Sequence, residues 1–316
     1  MSGYLLIPLG GGLASAVFYL SVRAGSPMAA GLTYLAPAPL LAVGLSRGLT
    51  AGAIAILVGA LTLALGVRPL AALLYLAAAG LPSLIIIRQG MLSRPGATQG
   101  AFDWYPPGLL LAWLTVYGLA MLVSVNLMFS GVEGGLEGEI RRAMEVILKA
   151  YDETQGGRLD PRIREIADGL APFVPGWLIS AWLIVFVING AVAQGLLTRI
   201  GQAARPTPAY TALELPNWLG ILLAGAVVLS FLPGGIGGFG RNALPILATP
   251  FLLCGLAVIH TLSRRVPGRA AVLAAVYMML VILSWLSAVI AILGLAEQWV
   301  DLRRRFGNSG EKPEGE

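Results

Sequence analysis

No acidic residue occurs before Asp103, and ahead of it only Arg23, Arg47, Arg68, Arg88 and Arg94 are charged. A soluble domain is about 25% charged, so a stretch this bare is not the outside of a water-soluble fold. The whole chain keeps the pattern: of its 316 residues 12% are charged and 57% apolar, and the mean hydropathy is +0.81. The expected fold class is all-α, a polytopic bundle of transmembrane helices.

A spanning helix needs about 20 mostly apolar residues. Nine stretches qualify: Tyr4–Val22, Met28–Leu45, Thr50–Leu65, Pro69–Ile87, Pro107–Phe129, Trp177–Leu197, Trp218–Leu232, Ala243–Leu262 and Ala270–Leu295. Only Ser46-Arg47-Gly48-Leu49 separates the second from the third, so one of that pair can be short or re-entrant, and the expectation is 7–9 spans. Met1-Ser2-Gly3 lacks the basic residues that open a secretory signal, so Tyr4–Val22 reads as a retained helix. The organisation expected is one transmembrane domain over 1–305, carrying a hydrophilic insert at 133–173, and a disordered polar tail over 306–316.

Gly10-Gly11-Gly12, Gly52, Gly59 and Gly190 fall inside spans, where small residues let helices approach closely. Pro37, Pro39, Pro82, Pro245 and Pro250 lie in or beside spans. Each proline frees a backbone carbonyl that must find a partner in protein or face a wet cavity. These positions are either simple kinks or, at Pro37-Ala38-Pro39 and Pro245/Pro250, the opening of a mid-membrane site like the broken helices of transporters.

The insert between the fifth and sixth spans reads as an amphipathic helical hairpin. From Gly131 to Pro175 it holds nine acids and six bases, a net charge of −3. Leu136, Ile140, Met144, Ile147, Leu148 and Tyr151 recur at helical spacing and form one stripe. Glu137/Arg141 and Glu145/Lys149 are favourably ordered pairs away from it. Gly156-Gly157 breaks the helix, and Asp160-Pro161 caps a second one with the stripe Ile163, Ile166, Ala167 and Leu170. Such a hairpin either lies on the bilayer or bundle surface or serves as a lid or docking element. Its mixed charge argues against an anchor for anionic lipid.

Several chemistries are excluded. A single cysteine (Cys254) and a single histidine (His260) permit neither an intrachain disulfide nor a tetrahedral Cys/His metal site. Neither lysine, Lys149 or Lys312, sits in a P-loop. No acid sits centrally in a span, which removes the paired carboxylates of an intramembrane aspartyl protease and the buried acid of a proton-coupled pump. His260 has no serine partner in a Gly-x-Ser-x-Gly setting. No long basic run interleaved with aromatics marks a nucleic-acid surface. The expectation is therefore no catalytic residue, metal, cofactor or nucleic-acid partner.

What remains in the spans is neutral and polar: Tyr34, Tyr75, Tyr117, Asn126, Asn189, Gln194, Tyr277 and Ser284. These groups either pair across helices or line a pocket for a small neutral solute. Arg241, with Asn242 beside it, follows the glycine-rich run Pro233–Gly240. That run reads either as a flexible interspan loop or as a turn offering backbone N–H groups and a guanidinium to an anion. The candidate ligand-binding residues are Tyr34, Pro37, Pro39, Asn189, Arg241 and Asn242. Trp104, Trp113, Trp177, Trp218 and Trp299 lie near span ends, as an interfacial aromatic belt would. Basic loops stay cytoplasmic, and Arg303-Arg304-Arg305 tips the orientation toward a cytoplasmic C-terminal tail.

Several stretches carry a family resemblance. They are Tyr34-Leu35-Ala36-Pro37-Ala38-Pro39-Leu40 with Gly44 and Gly48, Trp104-Tyr105-Pro106-Pro107-Gly108, Pro216-Asn217-Trp218, the run Pro250–His260 and the run Gly294–Arg305. Together they resemble the YybS-like family of bacterial inner-membrane proteins of unknown function, over about Tyr4 to Arg305. That family is distantly similar to the substrate-capture subunits of energy-coupling-factor transporters. The resemblance implies a helical bundle with a ligand pocket in a bacterial inner membrane, without a ligand to transfer. The functional expectation is a membrane component that captures a small solute and has no ATPase of its own. The alternative is a membrane scaffold or assembly factor whose protein partner docks on the 133–173 hairpin and the basic C-terminal segment.

Overall fold

The computed structural model describes residues 2–96, 102–154, 160–209 and 213–307, and these are helical nearly throughout. Lipid dictates this, because a helix pairs its backbone groups within itself where no water is available. The chain order is α1 (Ser2–Leu20), α2 (Pro27–Thr33), α3 (Pro37–Arg47), α4 (Leu49–Gly66) and α5 (Pro69–Tyr75), then a π-helical stretch Leu76–Gly80 leading into α6 (Leu81–Gly90). A short antiparallel pair follows, β1 (Ser93–Pro95) with β2 (Phe102–Trp104). Then come α7 (Pro107–Met128), α8 (Gly135–Thr154), α9 (Pro161–Leu170), α10 (Val174–Arg199), α11 (Asn217–Ser230), α12 (Gly234–Leu262), α13 (Arg269–Ile282), α14 (Leu286–Val300) and α15 (Leu302–Gly307).

Among the described residues seven helical segments are long and apolar enough to cross a membrane: Leu5–Ala24, Pro27–Arg47, Leu49–Gly66, Pro69–Gly90, Pro107–Met128, Pro161–Arg199 and Gly234–Arg265. The first five follow the expected spans. Two other expected spans are shorter helices. Trp218–Leu232 corresponds to α11, and Ala270–Leu295 divides at Leu283-Ser284-Trp285 into α13 and α14. At 1.5 Å per residue these helices reach about 21–23 Å, short of a hydrocarbon core of about 30 Å. The glycine run expected as an interspan turn is helical instead: α12 begins at Gly234, directly after Pro233. The hairpin's two helices are α8 and α9, with the Asp160 side chain accepting from Arg162 N as the cap expected there. Gly156-Gly157 and most of the expected 306–316 tail lie outside the described residues.

The chain forms two compact units, Met1–Leu114 with Ile184–Tyr210 and Thr115–Leu183 with Thr211–Glu316. In the first, Ala16, Leu40, Val43, Ala51, Ala55, Leu63 and Tyr75 build a core of mostly small side chains. Gly11 faces Val43, Gly12 faces the Ala55 carbonyl, and Gly59 faces the Tyr75 hydroxyl, so close approach holds there. Gly10 and Gly190 face open space.

In the second unit α12 is the central strut. Both α11 and α14 run antiparallel to it. Ile290 meets Gly255 and Gly294 meets Phe251 along α14, while Leu229 and Ser230 of α11 meet Gly240 and the preceding Leu213 reaches Cys254. A Cβ at Gly294 would land on the Phe251 carbonyl oxygen, and one at Gly255 on that of Ile290.

Candidate functional site

The first unit concentrates its polar chemistry where the second span breaks, at Tyr34-Leu35-Ala36. Pro37 and Pro39 have no N–H to give the carbonyls four residues back, those of Thr33 and Leu35. The chain repairs this with tighter turns: Ala36 N donates to Thr33 O at 3.2 Å and Ala38 N to Leu35 O at 3.0 Å. Side chains from other helices tie the remainder. Ser15 Oγ donates to Ala36 O at 2.6 Å. Its single hydrogen is thereby used, so Tyr75, whose hydroxyl lies 2.8 Å from Ser15 Oγ, is the donor in that contact. Asn189 Nδ2 donates to Tyr34 O at 2.8 Å across 155 residues of sequence.

Asn189 is 1% exposed. Its second amide hydrogen goes to Val185 O, also at 2.8 Å. Two carbonyls therefore fix the amide's orientation, since a flip would set oxygen against oxygen. Asn189 Oδ1 is left buried with no hydrogen-bond partner. A buried acceptor without a donor costs about 1–3 kcal/mol, and this one can be satisfied only by a group that brings an N–H or O–H. Ser83 Oγ in α6 is also buried without a partner.

Of the six expected ligand residues, the first unit thus brings Tyr34, Pro37, Pro39 and Asn189 to one break. Tyr34 contributes its carbonyl, its ring being exposed. Arg241 and Asn242 belong to the second unit and serve packing. Asn242 Oδ1 accepts from Gly176 N at 2.8 Å, and its Nδ2 donates to Pro172 O and Gly238 O at 2.8 and 2.9 Å. Both polar atoms of that amide are used, two bonds tying the bend at Pro172 and the start of α10 to α12 and the third closing within α12. Arg241 reaches the Ser230 carbonyl at 3.5 Å. Gly237 and Gly240 lack the Cβ that would strike Leu232 O and the Leu229–Ser230 backbone. The glycine run therefore seats the end of α11. α12 also runs through Pro245 and Pro250 without opening, with Thr249 Oγ1 donating to Pro245 O at 2.8 Å.

Sequence reasoning missed a buried ion pair. Glu297, 4% exposed, accepts from Arg303 Nε at 2.7 Å through Oε1 and from Leu302 N at 2.9 Å through Oε2. Arg303 also donates to Leu213 O at 3.0 Å, the carbonyl that Cys254 Sγ approaches at 3.7 Å, and Gln298 Nε2 donates to Leu215 O at 3.2 Å. Cys254 lies in the middle third of the Gly234–Arg265 span. The pair fastens the short segment before α11 to the end of α14. One signal was available: Glu297 continues the buried face of Ile290 and Gly294 at helical spacing. A second missed group is Arg205, 6% exposed in the first unit, which donates to Gly90 O at 2.9 Å and lies 5.7 Å over the Trp104 ring.

Four cations of the hairpin are paired with its own carboxylates: Arg141 with Glu137 at 2.8 Å and Asp168 at 3.5 Å, Arg142 with Glu139 at 2.7 Å, Lys149 with Glu145 at 2.9 Å and Arg164 with Asp152 at 3.5 Å. The hydrogen bond from Lys149, then its charge, holds the Glu145 carboxyl below its ordinary value. A depressed carboxyl contributes stability above its unfolded pKa and loses it as pH falls through the folded value. Amide exchange in α8 of the detergent-purified protein, corrected for intrinsic rates, should therefore quicken below about pH 4. Unchanged protection there would show the pairing to be without effect.

No curated protein matches this chain, and no solved structure does. A family described as Predicted membrane protein (DUF2232) matches residues 13–297, and the chain belongs to it.

Proposed function

We propose that this member of the membrane-protein family is a small-solute-binding transport component without an ATPase of its own, residing in a bacterial inner membrane with its C-terminal tail in the cytoplasm. The observation that carries this reading is the Asn189 amide: buried, fixed by two carbonyls, and holding Oδ1 without a donor beside a broken helix. A bound solute with an N–H or O–H would remove the cost of that orphaned acceptor. Transporters use interrupted helices of this kind to build their sites.

The test is native mass spectrometry of the detergent-purified protein. Wild type is expected to retain a small organic molecule that Asn189→Leu has lost, at matched folding judged by thermal unfolding. Identical spectra from the two proteins would end the proposal.

The alternative, a membrane scaffold acting through residues 133–173 and the basic C-terminal segment, draws on the exposed Val146, Ile147 and Ile166 of the hairpin. Affinity purification with and without 133–173 tests it, and unchanged partners after deletion count against it.

A further inference from the structure

The hairpin carries exposed apolar side chains that no helix of its own unit covers. In α9, Ile166 is 61% exposed and Ile163 and Leu170 are exposed with it; in α8, Ile147 is 66% exposed beside Val146 and Tyr151. The α9 stripe does not stop at the end of that helix. Ile163, Ile166, Leu170, Phe173, Trp177 and Ala181 follow one another at three- and four-residue steps, exposed or half-buried, through the bend Ala171–Phe173 and onto the outer face of α10.

The same face therefore serves a spanning helix at one end and a charged helix at the other. The apolar segment Pro161–Arg199 has 39 residues, which at 1.5 Å each is about 58 Å, roughly twice the hydrocarbon thickness. Its α9 end must leave the core. Phe173 and Trp177 stack at the bend with ring centroids 5.9 Å apart, where an interfacial aromatic pair belongs.

We propose that the α8–α9 hairpin lies in the membrane interface, with the α9 stripe as an extension of the lipid-facing surface of α10. The lipid it fits is neutral or zwitterionic. Arg141, Arg142, Lys149 and Arg164 are each held by a carboxylate of the hairpin itself, and the Gly131–Pro175 region has a net charge of −3. Binding to anionic lipid needs cations free on the polar face. Those four cations are neutralised within the hairpin, and Arg141–Asp168 and Arg164–Asp152 fasten α8 to α9.

The experiment uses the full chain in a Cys254→Ser background, reconstituted in phosphatidylcholine nanodiscs, with nitroxides on Ile147→Cys, Ile166→Cys and Glu165→Cys. Labels at 147 and 166 should collide more with lipid-soluble oxygen than with a water-soluble nickel complex, and the label at 165 should do the reverse. Adding phosphatidylglycerol should change the ratio by less than about twofold. Three results would overturn the proposal. They are equal nickel access at 166 and 165, which marks a solvated face; shielding of 166 from both probes, which marks cover by a second copy of the chain; and lipid contact that rises more than about twofold with the anionic lipid.

Discussion

Gly294→Val should lower the thermal stability of the detergent-purified protein by about 3 kcal/mol or more, enough to leave much of it without its native second unit. The cause is geometric. A Cβ at this position falls on the carbonyl oxygen of Phe251 and close to the amide nitrogen of Gly255. Backbone cannot rotate aside as a flexible side chain can, so α14 would have to leave α12. Gly255→Val meets the Ile290 carbonyl from the other helix and should produce a similar loss. The informative control is Gly190→Ala. No atom lies within 4 Å of the position its Cβ would take, and alanine is preferred over glycine inside a helix by roughly 0.5–1 kcal/mol. That variant should unfold at or above the wild-type temperature. Equal losses at 190 and 294 would contradict the role given to the α12–α14 seam, since replacing glycine acts on the unfolded chain only to stabilise the fold.

The second large effect is expected at the buried ion pair. Removing one member of such a pair typically costs about 3–5 kcal/mol, because the other charge is left buried and unpaired. Glu297→Leu strands the Arg303 guanidinium from its carboxylate, and Arg303→Leu takes from the buried Glu297 its charged partner. Each single variant should be strongly destabilised in thermal unfolding. The double variant Glu297→Leu/Arg303→Leu should be less destabilised than the sum of the two, since no uncompensated charge remains. Strict additivity would show that the two side chains act separately and that the fastening of α14 to Leu213 lies elsewhere.

The membrane character and the helical bundle were legible in the sequence because lipid imposes one simple rule on long apolar segments. The hairpin was legible for a related reason: Asp160-Pro161, the i,i+4 charge pairs and the apolar stripes are local signals, and each survives in α8 and α9. Asn189 and the Tyr34–Pro39 stretch stand out in the sequence as polar and proline-bearing positions. That they meet depends on a bond across 155 residues, which no spacing rule encodes. The glycine run before Arg241 misled in the opposite direction. Local rules read glycines as loop, whereas Gly237 and Gly240 are there because the end of α11 crosses α12 too closely for a side chain. Glu297 stands past the expected span end at Leu295 and close to Arg303-Arg304-Arg305, so its charged neighbours do not mark it as buried. Its burial follows from the turn at Asp301, where φ is +51° and the chain folds Arg303 back onto the carboxylate.

The proposed solute site depends most heavily on one oxygen, Asn189 Oδ1. An experimental density map of the wild-type protein purified without added ligand, at a resolution that separates hydrogen-bonding neighbours, tests it most directly. The account predicts density for an organic molecule beside Asn189, with a donor atom about 2.7–3.2 Å from Oδ1. Apolar side chains packed dry against that oxygen, a donor from the protein itself, or a lone ordered water would contradict it.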